Sequence, residues 1–222
     1  MSKWFLIVGL AAPFSETAGV VFFDHFEGDE LGGHWRVSSH TGGRMEYVVR
    51  DSLLQVTRIV NSGRVNLTTP IPALDDWEVG ARVGWDPGES QWLYVGMVEY
   101  YRDPLIFGVG YMAYYNLPGE RPVIRAGLYG EVFEIPAPES GFYEMRVLKQ
   151  GNRMAAYFDG RLVGEREVLG VPTVRSPWLA FAGPDSPDFT PLYVDWIQVV
   201  PEPGTLAVLG AGVIWLFRRR RS

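Results

Sequence analysis

The run "DWEVGARVGW" at residues 76–85 alternates strictly, with Trp77, Val79, Ala81, Val83 and Trp85 on one side and Glu78, Gly80, Arg82 and Gly84 on the other. A period of two belongs to an extended strand with one face buried. The same pattern recurs in "QWLYVGMVEYY" (91–101), "FYEMRVLKQ" (142–150), "RMAAYFD" (153–159) and "PLYVDWIQVV" (191–200). Between such runs stand Gly, Pro, Asp and Asn clusters, among them Gly151-Asn152 and Asp159-Gly160, which supply the positive φ that two-residue hairpins need. No stretch of the body keeps a 3.6-residue pattern for three turns. Aromatic residues make up 14% of the chain, with 26 glycines and 16 prolines, as all-β proteins rich in turns require. The expectation is one all-β domain over 20–199, an antiparallel two-sheet sandwich or jelly roll of about a dozen strands.

At 222 residues one core suffices, and cysteine is absent, which excludes a disulfide framework, a thiol nucleophile and a cysteine metal site. The formal charge is -6, yet Lys3 and the four terminal arginines sit outside the body. The body itself carries 15 basic against 24 acidic residues, so nucleic acid is not an expected partner.

Both ends read as addresses. "MSKWFLIVGLAAPFSETAG" (1–19) has one charge at Lys3, an apolar stretch from Trp4 to Ala12 and then small residues, the layout of a secretory signal peptide that signal peptidase would remove after Sec export. Cleavage near Ala11 and cleavage near Gly19 both satisfy the small-residue rule. At the other end, residues 200–222 place Pro201, Glu202 and Pro203 before twelve apolar residues, Leu206 to Phe217, and then Arg218, Arg219, Arg220 and Arg221. As a helix the apolar run spans roughly 18 Å, short for a hydrocarbon core of about 30 Å. The prolines prevent its extension backwards as regular helix. The arginines orient it with everything before Pro201 outside the cytoplasm.

This tail resembles the PEP-CTERM sorting signal of Gram-negative bacteria, through "VPEPGTLAVLG" and the basic end that follows it. The resemblance implies recognition of Pro201-Glu202-Pro203 by an exosortase-type membrane protease, transient insertion in the inner membrane, and removal of the tail. The body resembles the concanavalin A-like lectin and glucanase jelly rolls, through "FFDHFEGDELGGHWRV", the hairpin "YEMRVLKQGNRMAAYFDGRLVGE" and the closing "LYVDWIQVV". That resemblance implies a structural calcium joining the first strand region to the last, with Asp24 or Glu27 and Asp195 as its oxygen ligands.

Catalysis by this fold needs two carboxylates about 5–10 Å apart. The laminarinase-type Glu-x-Asp-x-Glu string does not occur, Glu27, Asp29 and Glu30 fall in a turn, and Glu89 and Glu99 would be over about 30 Å apart along a strand. His25, His34 and His40 match no zinc spacing, and no Gly-x-Ser-x-Gly elbow is present. The remaining signal is aromatic. Sugar rings stack their C–H faces on Trp and Tyr, and Trp92, Tyr94 and Tyr100 alternate on one strand face, followed by Tyr111, Tyr114 and Tyr115. Glycan-binding candidates are therefore Trp92, Tyr94, Tyr100 and Tyr111. The sequence reads as an exported, exosortase-processed, non-catalytic carbohydrate-binding or structural component of the Gram-negative cell envelope or extracellular polysaccharide matrix. A glycoside hydrolase or polysaccharide lyase is the alternative, and an assembly unit pairing through an exposed sheet edge is a third.

Overall fold

The structure is a computed structural model that describes residues 20–39, 42–61, 63–88, 91–99, 108–185 and 189–201. The signal peptide expected at 1–19, Tyr100, the apolar helix expected over 206–217, and Glu202, Pro203 and Arg218 to Arg221 lie outside the described residues. Among the described residues there is no helix long and apolar enough to cross a membrane.

The described strands are β1 (Phe22–Asp24), β2 (Arg36–Ser39), β3 (Arg44–Arg50), β4 (Leu53–Val60), β5 (Gly63–Thr68), β6 (Trp77–Trp85), β7 (Gln91–Val98) and β8 (Gly108–Asn116). They continue as β9 (Val123–Leu128), β10 (Glu131–Pro136), β11 (Gly141–Gln150), β12 (Arg153–Phe158), β13 (Arg161–Glu167), β14 (Ser176–Gly183) and β15 (Leu192–Pro201). They form two antiparallel sheets. One runs β13-β12-β11-β6-β15-β4-β3, with β1 also paired to β15, and the other runs β10-β9-β8-β7-β14-β5-β2. The expected two-sheet sandwich is what forms.

The alternating run lies in β6, at the centre of the eight-stranded sheet between β11 and β15. Its odd-numbered members, Trp77 to Trp85, are buried. They share one core with Leu93, Val95, Met97, Met112, Tyr114, Leu179 and Phe181 of the facing sheet. Trp85 stacks on Tyr114 with centroids 4.1 Å apart and planes 12° from parallel, and its Nε1–H donates to the Pro138 carbonyl at 3.1 Å. Tyr114 thus belongs to the core, unlike its neighbours Tyr111 and Tyr115.

The two hairpin turns form where the sequence places them. Asp159 (φ 47°) and Gly160 (φ 75°) join β12 to β13, and Gly151 (φ 53°) opens the turn from β11 to β12. At this margin the sheets are tied together by Arg166 of β13, whose Nη1 donates to the carbonyls of Leu128 and Tyr129 and stands 3.5 Å from Glu131 of β10. The ends of the described residues meet elsewhere: β1 pairs with β15 in the register Phe22 to Val199, so the start of the described chain lies beside Pro201, itself paired with Trp77.

Candidate functional site

The outward face of the seven-stranded sheet is set by the antiparallel registers. One rung across it reads Thr68, Trp178, Gly96, Tyr111, Gly127 and Val132. The next reads Asn66, Ala180, Tyr94, Ala113, Arg125 and Glu134, and the third Arg64, Ala182, Trp92, Tyr115, Val123 and Pro136. Large and small residues alternate along the first rung, and Trp178, Tyr94, Tyr111 and Trp92 each have a glycine or alanine beside them over which the ring can lie, whereas Tyr115 stands between Trp92 and Val123. Gly127 shows the fit: a Cβ there would stand 2.3–2.8 Å from the outer ring atoms of Tyr111. Only a residue without a side chain admits Tyr111 at that position.

Five aromatic side chains from three adjacent strands therefore meet. Trp178 of β14 is the floor, 2% exposed, with its Nε1–H donating to Asn66 Oδ1 at 3.0 Å. Tyr94 of β7 stacks on it at 5.3 Å and 29°, and Tyr111 of β8 stands edge-on to it at 6.2 Å and 80°. Tyr94 also touches Tyr111 at 5.8 Å and Tyr115 at 5.5 Å, and the Tyr94 and Tyr115 hydroxyls are hydrogen-bonded to each other. Trp92 extends the cluster at 6.1 Å from Tyr115. Trp92, Tyr94, Tyr111 and Tyr115 are half-buried, which leaves part of each ring to solvent. Burial, helped by the Tyr115 hydroxyl, pushes the Tyr94 phenol far above its ordinary value, and burial followed by Tyr115 raises Tyr111. Both stay protonated through the neutral range, so they offer hydroxyls and ring faces and no phenolate base.

Arginines flank the rings. The Arg125 guanidinium lies 4.2 Å above the Tyr115 ring and donates from Nε to Glu134 Oε1 at 2.6 Å, and Arg64 lies 5.5 Å from the Trp178 ring. Glu134 is the only carboxylate that the described strands of this sheet turn outward. The other one in them, Glu131, has the opposite parity and is bound to Arg166. A pair of the kind glycoside hydrolysis needs is not assembled from these strands.

Of the residues singled out from sequence, Trp92, Tyr94 and Tyr111 are brought together here. Tyr115, named in the aromatic run but not among the candidates, joins them, and Trp178, Asn66, Arg64 and Arg125 do so unannounced. Asp24, Glu27 and Asp195 are not brought together. Asp24 accepts the Phe26 N–H at Oδ1 (2.7 Å), and at Oδ2 it takes the Trp35 Nε1–H (2.6 Å) and His34 Nε2 (2.9 Å). Glu27 is exposed and 2.6 Å from His25. Asp195 is the extra residue of a bulge in β15 and pairs with Arg82 at 2.7 Å. Among the described residues no group of three His, Asp or Glu side chains could hold one metal ion. Asp24 and Asp195 are each engaged by other side chains, which a calcium ion bound there would have to displace, and the first and last strands are joined by their own ladder. The expected outcome is an equal thermal midpoint in calcium and in chelator, measured by circular dichroism; a rise in calcium would restore the ion.

The model of the PEP-CTERM protein-sorting motif matches residues 199–221. The motif is that of an exported protein of the Gram-negative cell envelope, and its first three residues are the last three of β15. No curated protein sequence matches the chain. Among solved structures, the laminarinase from Flavobacterium sp. UMI-01 superposes with a TM-score of 0.65 at 15% identity, over 82% of this chain and 99% of that one. The CBM2 module of the evolved Dit of Lactobacillus casei BL23 phage J-1 gives 0.63 at 14%, over 82% and 94%. The carbohydrate recognition domain of Emp47p gives 0.63 at 11%, over 84% and 99%. At such identities the likeness is one of fold: the body is a concanavalin A-like jelly roll.

Proposed function

We propose that the outward face of the seven-stranded sheet binds polysaccharide and that the chain is a non-catalytic glycan-binding component of the cell envelope or extracellular matrix, released from the membrane by an exosortase. The observation that carries this reading is the cluster of Trp92, Tyr94, Tyr111, Tyr115 and Trp178 on one face, around which the strands supply one outward carboxylate, already bound to Arg125. Aromatic faces half open to solvent are what pyranose rings stack on. A single carboxylate cannot divide the roles of acid and base. Of the similar folds, one is a carbohydrate recognition domain, one a CBM2 module and one a laminarinase.

Affinity electrophoresis on a panel of neutral and charged polysaccharides tests the reading, with reducing-sugar and unsaturated-end assays on the same panel. Retardation without product is the expected result. Product release would replace the binding module with a hydrolase or lyase, and no retardation of folded protein on any polymer would leave a structural role.

A further inference from the structure

The described strands of the candidate face carry a charge balance opposite to that of the body, with Arg36 and Arg64 each also engaging a further group. Its described strands point three guanidiniums outward, from Arg36 of β2, Arg64 of β5 and Arg125 of β9, against the single carboxylate of Glu134. The body as a whole has 15 basic and 24 acidic residues. A local reversal of sign on an acidic protein concentrates positive potential where the rings are.

Two uncharged donors are buried beneath the same face. Asn66 is fully buried, and its Oδ1 is taken by the Trp178 indole, while its Nδ2 has no acceptor. The buried Nε1–H of Trp92 has none either. Buried donors without acceptors are costly, and both belong to the face that carries the arginines. Arg125 adds geometry to charge. Stacking on Tyr115 and the bond from Nε to Glu134 hold the plane of the guanidinium, and Glu134 is its only hydrogen-bonding partner among the described residues. A planar fork fixed in this way suits a carboxylate or sulfate better than a hydroxyl.

Resting on the glycan-binding reading, we infer that the ligand of this face is an anionic polysaccharide, its rings on Tyr94, Tyr111, Tyr115 and Trp92 and its carboxylate or sulfate groups on the arginines at either side. The acidic groups elsewhere on the body repel such a polymer. Attraction is therefore local to the face.

The test compares matched polymers by isothermal titration with the whole purified protein: polygalacturonate against its carboxyl-reduced form, and dextran sulfate against dextran. Binding to one charged polymer is expected to exceed binding to its neutral partner by about tenfold or more. Which pair shows it separates uronate from sulfate. Raising sodium chloride from about 50 to about 500 mM should weaken that binding, because a cationic face is screened. Net repulsion alone would give the opposite trend. Arg125→Gln should lose about tenfold, with Arg125→Lys in between because the charge survives and the fork does not. Equal binding within both pairs, binding of neutral polymers alone, insensitivity to salt, or unchanged affinity in folded Arg125→Gln would each overturn the inference and leave glycan binding standing. No binding to any polymer would remove the glycan reading itself.

Discussion

Trp85→Ala is expected to lower the free energy of unfolding by about 3–5 kcal/mol, the range for deleting a fully buried tryptophan. Trp85 is 1% exposed and lies at the end of the central strand β6. Its ring stacks on Tyr114 of the opposite sheet and lies 5.2 Å from Tyr143 and 6.4 Å from Phe158. Removing it opens a cavity between the sheets and leaves the Pro138 carbonyl without its donor. Against a total stability of about 5–15 kcal/mol for a domain, the loss is at least about a fifth of the margin and can reach all of it. Urea denaturation followed by tryptophan fluorescence checks it: the midpoint should fall with the slope unchanged. A loss below about 1 kcal/mol would mean that the site collapses around the deletion and that the stack is not a main tie between the sheets.

The residues around Trp85 also show how far periodicity reaches. The parity that puts Trp77 and Trp85 inside β6 also separates Tyr114 from Tyr111 and Tyr115 in β8, and the structure follows it in both strands. The hairpins at Gly151-Asn152 and Asp159-Gly160 are legible because glycine and aspartate tolerate the positive φ that Gly151, Asp159 and Gly160 take there. The β9–β10 turn is less so, since Tyr129 takes φ 43° at a position that a bulky residue seldom occupies. Its hydroxyl donates to the Gly170 carbonyl at 3.2 Å, a tertiary contact with no local signature.

The candidate site was half legible for the same reason. Trp92 and Tyr94 share a face by parity within one strand, and Tyr111 and Tyr115 join them across the next. Trp178 is more than 80 residues away in sequence from Tyr94 and enters because β14, not a sequence neighbour, lies beside β7. Strand order is a property of the whole chain, so nothing in "SPWLAFAG" marks its tryptophan as the floor of the site. The expected cation ligands are engaged by other partners for a related reason. The proximity of the first and last strands is real, but the bulge between Val194 and Trp196 displaces Asp195 from the regular ladder and leaves it paired with Arg82. A single extra residue in a strand has no signal in the alternation.

Gly127→Val should abolish most glycan binding while leaving the fold intact. In β9 the substitution exchanges a poor strand former for a good one, so the backbone has no reason to leave the sheet. Its Cβ, however, would meet the Tyr111 ring at 2.3–2.8 Å, far inside contact distance, and the ring is the partner able to move. Once displaced, Tyr111 leaves Tyr94 and Trp178, and the rung loses the surface on which a sugar would rest. The expected loss of affinity is about tenfold, equivalent to roughly 1.4 kcal/mol and within the worth of an aromatic contact. Tyr111→Ala should show a similar loss, and the double variant should be no weaker than either single one, because both act through the same ring. Additive losses in the double variant would place the role of Gly127 elsewhere, and wild-type affinity in all three would take Tyr111 out of the binding surface.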